Sequence, residues 1–271
     1  MMKRTLHLLS SSLLFSAAAV AFLTSAEGEA HAQATGFAIN RFDPSERGSE
    51  WFVLDSLDLR GGARPAFGAV FDWAHRPLAT YRQDGSVDKA IVDDQVFLHV
   101  GGSVVLGSRV RFGVNLPIAL YQNGEAGTLS NGVTTTTFAP PDSPSFGDIR
   151  FGGDLRLLGE YGDLFTLALG AHVFLPSGTR ANYTGDETVR LRPRVLGAGD
   201  IGPIAYSASV AMQYRPDDRA FGEGKLGSEI LFAGAVGLRV ADKKLVIGPE
   251  VYGSTVFGEA FDKLSSPLEG L

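Results

Sequence analysis

Three arginines occupy every second position in one short stretch of the chain, residues 188–195, which has the sequence Thr-Val-Arg-Leu-Arg-Pro-Arg-Val. Side chains of an extended strand point alternately to opposite faces, so Arg190, Arg192 and Arg194 share one face and apolar residues share the other. A ladder of guanidinium groups attracts anions, and rings of like charge set selectivity where they line a passage. What this ladder does depends on whether its face is open to solvent or closed by opposite charges.

The same alternation recurs along most of the chain in segments of roughly ten residues. In residues 148–160 one face is apolar, whereas the other is mostly charged. In residues 163–176 the polar face carries His172, and in residues 110–121 it carries Arg111, Asn115 and Tyr121. A single alternating strand means little, but five or more such segments predict a protein built from half-buried strands.

The N-terminus has the pattern of a secretory leader. Lys3 and Arg4 precede an uncharged apolar stretch, which is followed by Ala30-His31-Ala32. A basic start, an apolar centre and a small-residue cleavage site together indicate a signal peptide. We therefore predict a signal peptide over residues 1–32 and an exported domain over residues 33–271.

The strand pattern predicts an all-β fold with eleven strands and a regular rhythm of connections. Short turns alternate strictly with longer polar loops, of which residues 75–93 are one. Outer-membrane barrels show this asymmetry between their two ends. The predicted strands are residues 36–42, 50–60, 65–74, 94–106, 108–122, 147–160, 163–176, 187–199, 203–215, 227–240 and 244–257.

Beyond the leader, no uncharged apolar run approaches the eighteen or so residues of a membrane helix. If the exported chain spans a bilayer, it does so with strands, and a charged side chain facing lipid would cost roughly 2–4 kcal/mol near the bilayer centre. The sequence therefore predicts an antiparallel up-and-down transmembrane β-barrel, incomplete with eleven of 12–14 strands. The residues predicted to line its interior are Arg111, Asp148, Arg150, Asp154, Arg156, His172, Arg190, Arg192, Arg194, Glu229, Arg239 and Glu250.

This predicted lining has more basic than acidic groups, which leaves two interpretations open. The arginines could form a narrow pore that favours anions. Alternatively, the charges pair with one another and close the interior, because an unpaired buried charge is costly. The net charge of −6 argues against nucleic acid as a partner.

Several short sequence motifs, taken in order, resemble the N-terminal barrel of a subgroup of OmpA-family outer-membrane proteins of Gram-negative bacteria. The resemblance extends from about residue 36 to the end of the sequence, and the motifs that carry it are Asn40-Arg41-Phe42-Asp43-Pro44-Ser45, Gly48-Ser49-Glu50-Trp51, Leu57-Asp58-Leu59-Arg60-Gly61, Gly113-Val114-Asn115-Leu116-Pro117, Gly147-Asp148-Ile149-Arg150, Leu175-Pro176-Ser177-Gly178 and Gly248-Pro249-Glu250-Val251-Tyr252-Gly253. The resemblance implies further strands, acidic repeats and a peptidoglycan-binding domain. This chain stops before them, so we expect a truncated product or fragment that does not itself bind peptidoglycan.

These patterns favour an outer-membrane protein that is structural or forms a narrow passive pore for small polar solutes. The expected partners are outer-membrane lipid, lipopolysaccharide and the barrel-assembly machinery. Import of hydrophobic compounds, an embedded lipid hydrolase that uses His172 near Ser177, and a secreted soluble sandwich are the alternatives. We expect no enzyme, cofactor or metal. The glycine pattern at residues 197–202 leads into a strand rather than a helix, which argues against nucleotide binding, and no spacing resembles a zinc site.

Overall fold

A computed structural model describes residues 36–82, 84, 86–130, 135–216, 219–221, 224–257 and 268–270. The predicted signal peptide lies outside these ranges. The described chain is all-β. A search of the same residues finds no helix with the length and apolar character needed to cross a membrane.

Twelve of the strands join one antiparallel sheet, in which the main strands pair in the order in which they follow along the chain. β4 with β5 and β11 with β12 form two separate hairpins. The strands are β1 Ala63–Tyr81, β2 Val87–Leu106, β3 Val110–Asn123, β4 Gly127–Ser130, β5 Thr135–Phe138, β6 Ser145–Phe146, β7 Ile149–Leu158, β8 Thr166–Leu175, β9 Arg190–Ile201, β10 Ile204–Gln213, β11 Arg219–Phe221, β12 Gly224–Leu226, β13 Glu229–Val240, β14 Leu245–Ile247, β15 Glu250–Val256 and β16 Leu268–Gly270.

The large sheet runs from β1 through β2, β3, β7, β8, β9, β10, β13 and β15 to β16, and it curls into a half-barrel. Consecutive strands are joined by tight turns at one end, such as residues 107–109 and 202–203, and by longer connections at the other. This is the up-and-down arrangement of an incomplete barrel. The predicted all-β, antiparallel up-and-down architecture is confirmed.

Nine of the eleven predicted strands are present, most of them within a few residues of their predicted bounds, although residues 244–257 divide into β14 and β15. The prediction of a loop at residues 75–93 was wrong. There the ladder between β1 and β2 continues with small register shifts as far as Tyr81 and Val87. The polar character of this stretch reflects exposure of the hairpin, not the absence of strand pairing.

The two remaining predicted strands, residues 36–42 and 50–60, were also wrong. Residues 36–60 contain turns and bends but form no strand. We call these residues the inner segment. Its side chains contact the concave face of the large sheet, as shown below. We call this sheet the wall, and the inner segment contributes no strand to it.

A β-bulge corrects the predicted orientation of one residue in β3. Val96 of β2 pairs with Tyr121, whereas the next residue, Phe97, pairs with Ala119, so Leu120 is extra on this strand. The extra residue reverses the alternation beyond it. Tyr121 was predicted to face inward and is instead 50% exposed, while Ala119 is fully buried.

Many of the buried apolar residues form three small clusters, and each cluster includes part of the inner segment. Leu57 packs on Ala168 and Leu196, and Trp51 packs with Leu54 on Ala205. The third cluster lies at the end with the long connections and contains Ile39, Ile91, Val92, Phe138 and Tyr183. The hydrophobic core is therefore made between the inner segment and the concave face.

Candidate functional site

The concave face carries the residues that the sequence predicted to line an interior. None of these side chains is more than about 12% exposed. Their neighbours in the same strands are apolar and exposed, as with Phe151 and Leu155 in β7. Strand alternation thus places Arg111, Asp148, Arg150, Asp154, Arg156, His172, Arg190, Arg192, Arg194, Glu229, Arg239 and Glu250 on the buried face.

Two carboxylates of the inner segment lie at the middle of this face. Asp43 accepts hydrogen bonds from the guanidinium groups of Arg150 and Arg192. Glu46 accepts a 3.1 Å bond from Arg150 Nη2, and its carboxylate lies 3.3 Å from His172 Nε2. The central arginines are therefore neutralised by the inner segment, in bonds of the strong, charge-assisted class.

The wall strands leave room for Glu46 by placing glycine opposite it. A Cβ atom at Gly113 would lie 1.8 Å from a Glu46 oxygen, and a Cβ at Gly152 would lie 2.2 Å from the other. Both distances are far inside van der Waals contact. Glycine at these positions of β3 and β7 lets the carboxylate approach the sheet closely enough to reach Arg150.

A second buried charge cluster lies closer to the short-turn end. Arg111 Nη1 donates to Asp55 of the inner segment at 2.6 Å, and its Nη2 donates to Asp154 at 2.7 Å. Arg194 also donates to Asp154, at 2.7 Å. The three charged side chains Arg111, Asp55 and Asp154 are at most 2% exposed, so the cluster is desolvated and depends on internal pairing.

At the short-turn end the inner segment joins a cluster around Tyr161. Glu50 Oε1 accepts 2.6 Å bonds from the Tyr161 hydroxyl and from Arg239, which also donates to Asp200. The Arg60 guanidinium lies 4.1 Å from the centre of the Tyr161 ring. Burial and the bond to Glu50 raise the pKa of Tyr161 to about 12.

Glu250, at the start of β15, binds the backbone of the inner segment. Its two carboxylate oxygens accept hydrogen bonds from the backbone N–H groups of Phe52, Val53 and Leu54 at 2.7, 2.9 and 3.0 Å. Buried N–H groups outside regular strands need such acceptors. Glu250 therefore takes the place of a strand partner for this turn of the chain.

The N-terminal end of the inner segment is hydrogen-bonded to the long connections between strands. Ala38 N–H donates to Asp186 at 2.8 Å, and Ile39 N–H donates to the carbonyl of Tyr183 at 3.2 Å. The inner segment thus contacts the long-connection end at residues 38–39 and the short-turn end at residues 50–58. It runs along the interior from one end to the other.

Beside the inner segment a cavity of about 170 Å³ remains. Arg190, Arg192 and Arg215 line it together with Phe174 and Phe232. The guanidinium groups of Arg190 and Arg192 each lie 4.6 Å from the centre of the Phe174 ring. Two arginines of the ladder are therefore stacked on an aromatic side chain and border a small cavity with a mixed polar and apolar lining.

The site does not bring together the residues of the predicted alternative hydrolase. The His172 ring nitrogens lie near carboxylates of Asp43 and Glu46, at 3.6 and 3.3 Å. Ser177 Oγ instead donates to the carbonyl of Gly147 and accepts from the N–H of Ile149. Within the described ranges no group of three or more metal-ligating side chains is close enough to hold an ion.

Sequence reasoning identified the wall but missed the inner segment that covers it. The available signal was charge: Asp43, Glu46, Glu50 and Asp55 all fall within residues 36–60. The predicted lining had an excess of arginine, and buried charges need partners. Residues 36–60 have acidic side chains and only weak alternation, so they are the region of the sequence that can supply carboxylates to pair with these arginines.

No family model matches the chain, and no characterised protein matches it closely enough to count as a relative.

Proposed function

We propose that the protein is an outer-membrane β-barrel protein of the OmpA type with a structural role, in which the inner segment fills the interior. The observation that carries this proposal is the composition of the two faces of the sheet. The convex face exposes large apolar side chains on strand after strand, among them Phe67, Phe71, Phe112, Phe151, Leu169, Val195, Val210 and Val236. The concave face buries paired charges.

A soluble protein would not leave such a face in water. Soluble monomers rarely expose contiguous apolar patches larger than a few hundred Å². The apolar face extends across neighbouring strands, since exposed Leu155, Leu169 and Val195 lie side by side on β7, β8 and β9. Lipid is the solvent that suits this surface, and the N-terminal leader pattern is compatible with export.

The dimensions of β1 also suit a bilayer. Its outward positions from Pro65 to Trp73 are apolar, and His75 and Arg76 follow directly. Transmembrane strands have about 9–11 residues, and aromatic side chains are common at the interfaces. Trp73 is therefore at the position of an interfacial aromatic, and the charged part of the β1–β2 hairpin extends beyond the membrane.

A charge on the convex face tests this proposal. We expect Leu169→Arg to lower the free energy of unfolding in lipid vesicles by roughly 2–4 kcal/mol, because Leu169 would face the hydrocarbon. Urea titration of the vesicle-bound protein measures the change. Tyr81→Arg, an exposed change at the far end of the β1–β2 hairpin, is the matched control and should change it by less than about 0.5 kcal/mol. Equal effects of the two substitutions would contradict a lipid-facing surface.

A further inference from the structure

The charge balance of the interior depends on a part of the chain that has no strand pairing with the wall. We propose that the inner segment is a displaceable plug, and that its displacement opens a passage selective for small anions. This inference rests on the proposed membrane-spanning barrel, whose wall must close beyond the half-barrel that the described strands form, and it adds to that barrel a regulated transport activity.

The attachments of the inner segment are of a kind that can be released without unfolding the sheet. They are ion pairs through Asp43, Glu46 and Asp55, hydrogen bonds such as those to Glu250, and three small apolar clusters. The wall strands, in contrast, are joined by long continuous ladders. Structural units with few ladder bonds open at lower free energy than the sheet that supports them.

Removal of the inner segment would leave several arginines of the interior without their carboxylate partners. Arg150 would lose both of its carboxylate partners, and Arg192 would lose Asp43. Arg111 would lose Asp55 and share Asp154 with Arg194. The wall then has more guanidinium than carboxylate groups, and a surface of that sign concentrates anions and repels cations.

Part of the passage already exists beside the plug. The cavity of about 170 Å³ lies against the inner segment between Phe37 and Val53, and its other side is the arginine ladder of β9. This volume is well above the minimum needed for one water molecule. Displacement of the inner segment therefore enlarges an existing space, lined by both polar and apolar side chains, and does not require a new one.

A reversible covalent link tests the plug directly, because the chain has no cysteine of its own. A Cβ atom at Gly48 of the inner segment would lie 3.4 Å from the Cβ of Ala66 in β1, close to the separation found in disulfides. The full chain with Gly48→Cys and Ala66→Cys is reconstituted in planar bilayers. Current and reversal potential are measured in a KCl gradient, before and after reduction.

We expect the oxidised variant to carry less than a tenth of the current of the reduced variant, and the reduced variant to prefer chloride over potassium. Gly48→Cys alone is the control for the strain of a side chain at the φ of 95°. Asp43→Asn with Glu46→Gln should raise the open fraction at least tenfold, since both carboxylates hold Arg150. Glu125→Gln, an exposed change of the same kind, should leave it unchanged.

Equal currents in the oxidised and reduced forms would overturn the plug, and a preference for potassium would overturn the proposed selectivity. Protein that is inserted in the bilayer but carries no current in any variant would overturn the plug and leave the structural role intact. Insertion is measured on the same protein preparation, with Trp51→Phe added so that Trp73 is the only tryptophan, by quenching of its fluorescence with brominated lipid. Failure to insert would overturn both proposals.

Discussion

Arg111→Met is expected to lower the free energy of unfolding by about 3–5 kcal/mol. The Arg111 side chain is 2% exposed and bonds Asp55 at 2.6 Å and Asp154 at 2.7 Å. Methionine keeps the apolar stem but removes the charge, so Asp55 becomes a buried carboxylate without its closest cation. Urea titration in detergent micelles or vesicles measures the loss.

Arg109→Met is the matched control for this substitution. Arg109 is exposed in the turn between β2 and β3, two residues before Arg111. Surface changes of this kind usually alter stability by less than about 0.5 kcal/mol. A similar small effect at Arg111 would show that Asp55 is not held by Arg111 and that the inner segment does not neutralise this part of the wall.

Glu250→Gln is expected to loosen the inner segment while the sheet remains folded. The amide oxygen of the new side chain would still accept a hydrogen bond, but the charge and the second acceptor oxygen for Phe52, Val53 and Leu54 would be lost. Bonds to charged groups contribute about 1.5–3 kcal/mol each, so we expect a local loss of about 3 kcal/mol. Cleavage by trypsin at Arg47 should accelerate about a hundredfold.

Cleavage at Arg47 is a suitable readout because its guanidinium is bonded to the carbonyls of Gly68 and His99 when the inner segment is seated. Glu125→Gln serves as the control, since Glu125 is exposed outside the interior. Cleavage that is equally fast in both variants would contradict the anchoring role of Glu250. A parallel loss of strand signal in circular dichroism would show global, not local, opening.

The wall of the half-barrel could be predicted from the sequence because its rule is local. Strand side chains alternate with a period of two, and the cost of charge in an apolar solvent decides which set faces inward. Arg150, Asp154 and Arg156 follow this rule in β7. The rule fails at Leu120, since a single extra residue in β3 reverses the faces beyond it and leaves no clear mark in composition.

The inner segment could not be predicted in the same way because its structure is set by distant partners. Asp43 bonds residues more than a hundred positions later, and Phe52 is held by Glu250. Residues 50–60 contain enough apolar side chains to resemble a strand, and Trp51, Leu54 and Leu57 are indeed buried. They are buried against the concave face of the sheet, so the apolar pattern was informative about burial and misleading about strand pairing.

The two tryptophans provide the most direct test of the central claim that one face of the sheet meets lipid and the other is closed by the inner segment. Trp73 is 66% exposed on the convex side, and Trp51 is 6% exposed in the interior. Trp51→Phe leaves only Trp73, and Trp73→Phe leaves only Trp51. In vesicles of brominated phospholipid, fluorescence of Trp73 should be quenched at least threefold more strongly than that of Trp51. Equal quenching of the two, or stronger quenching of Trp51, would contradict this account.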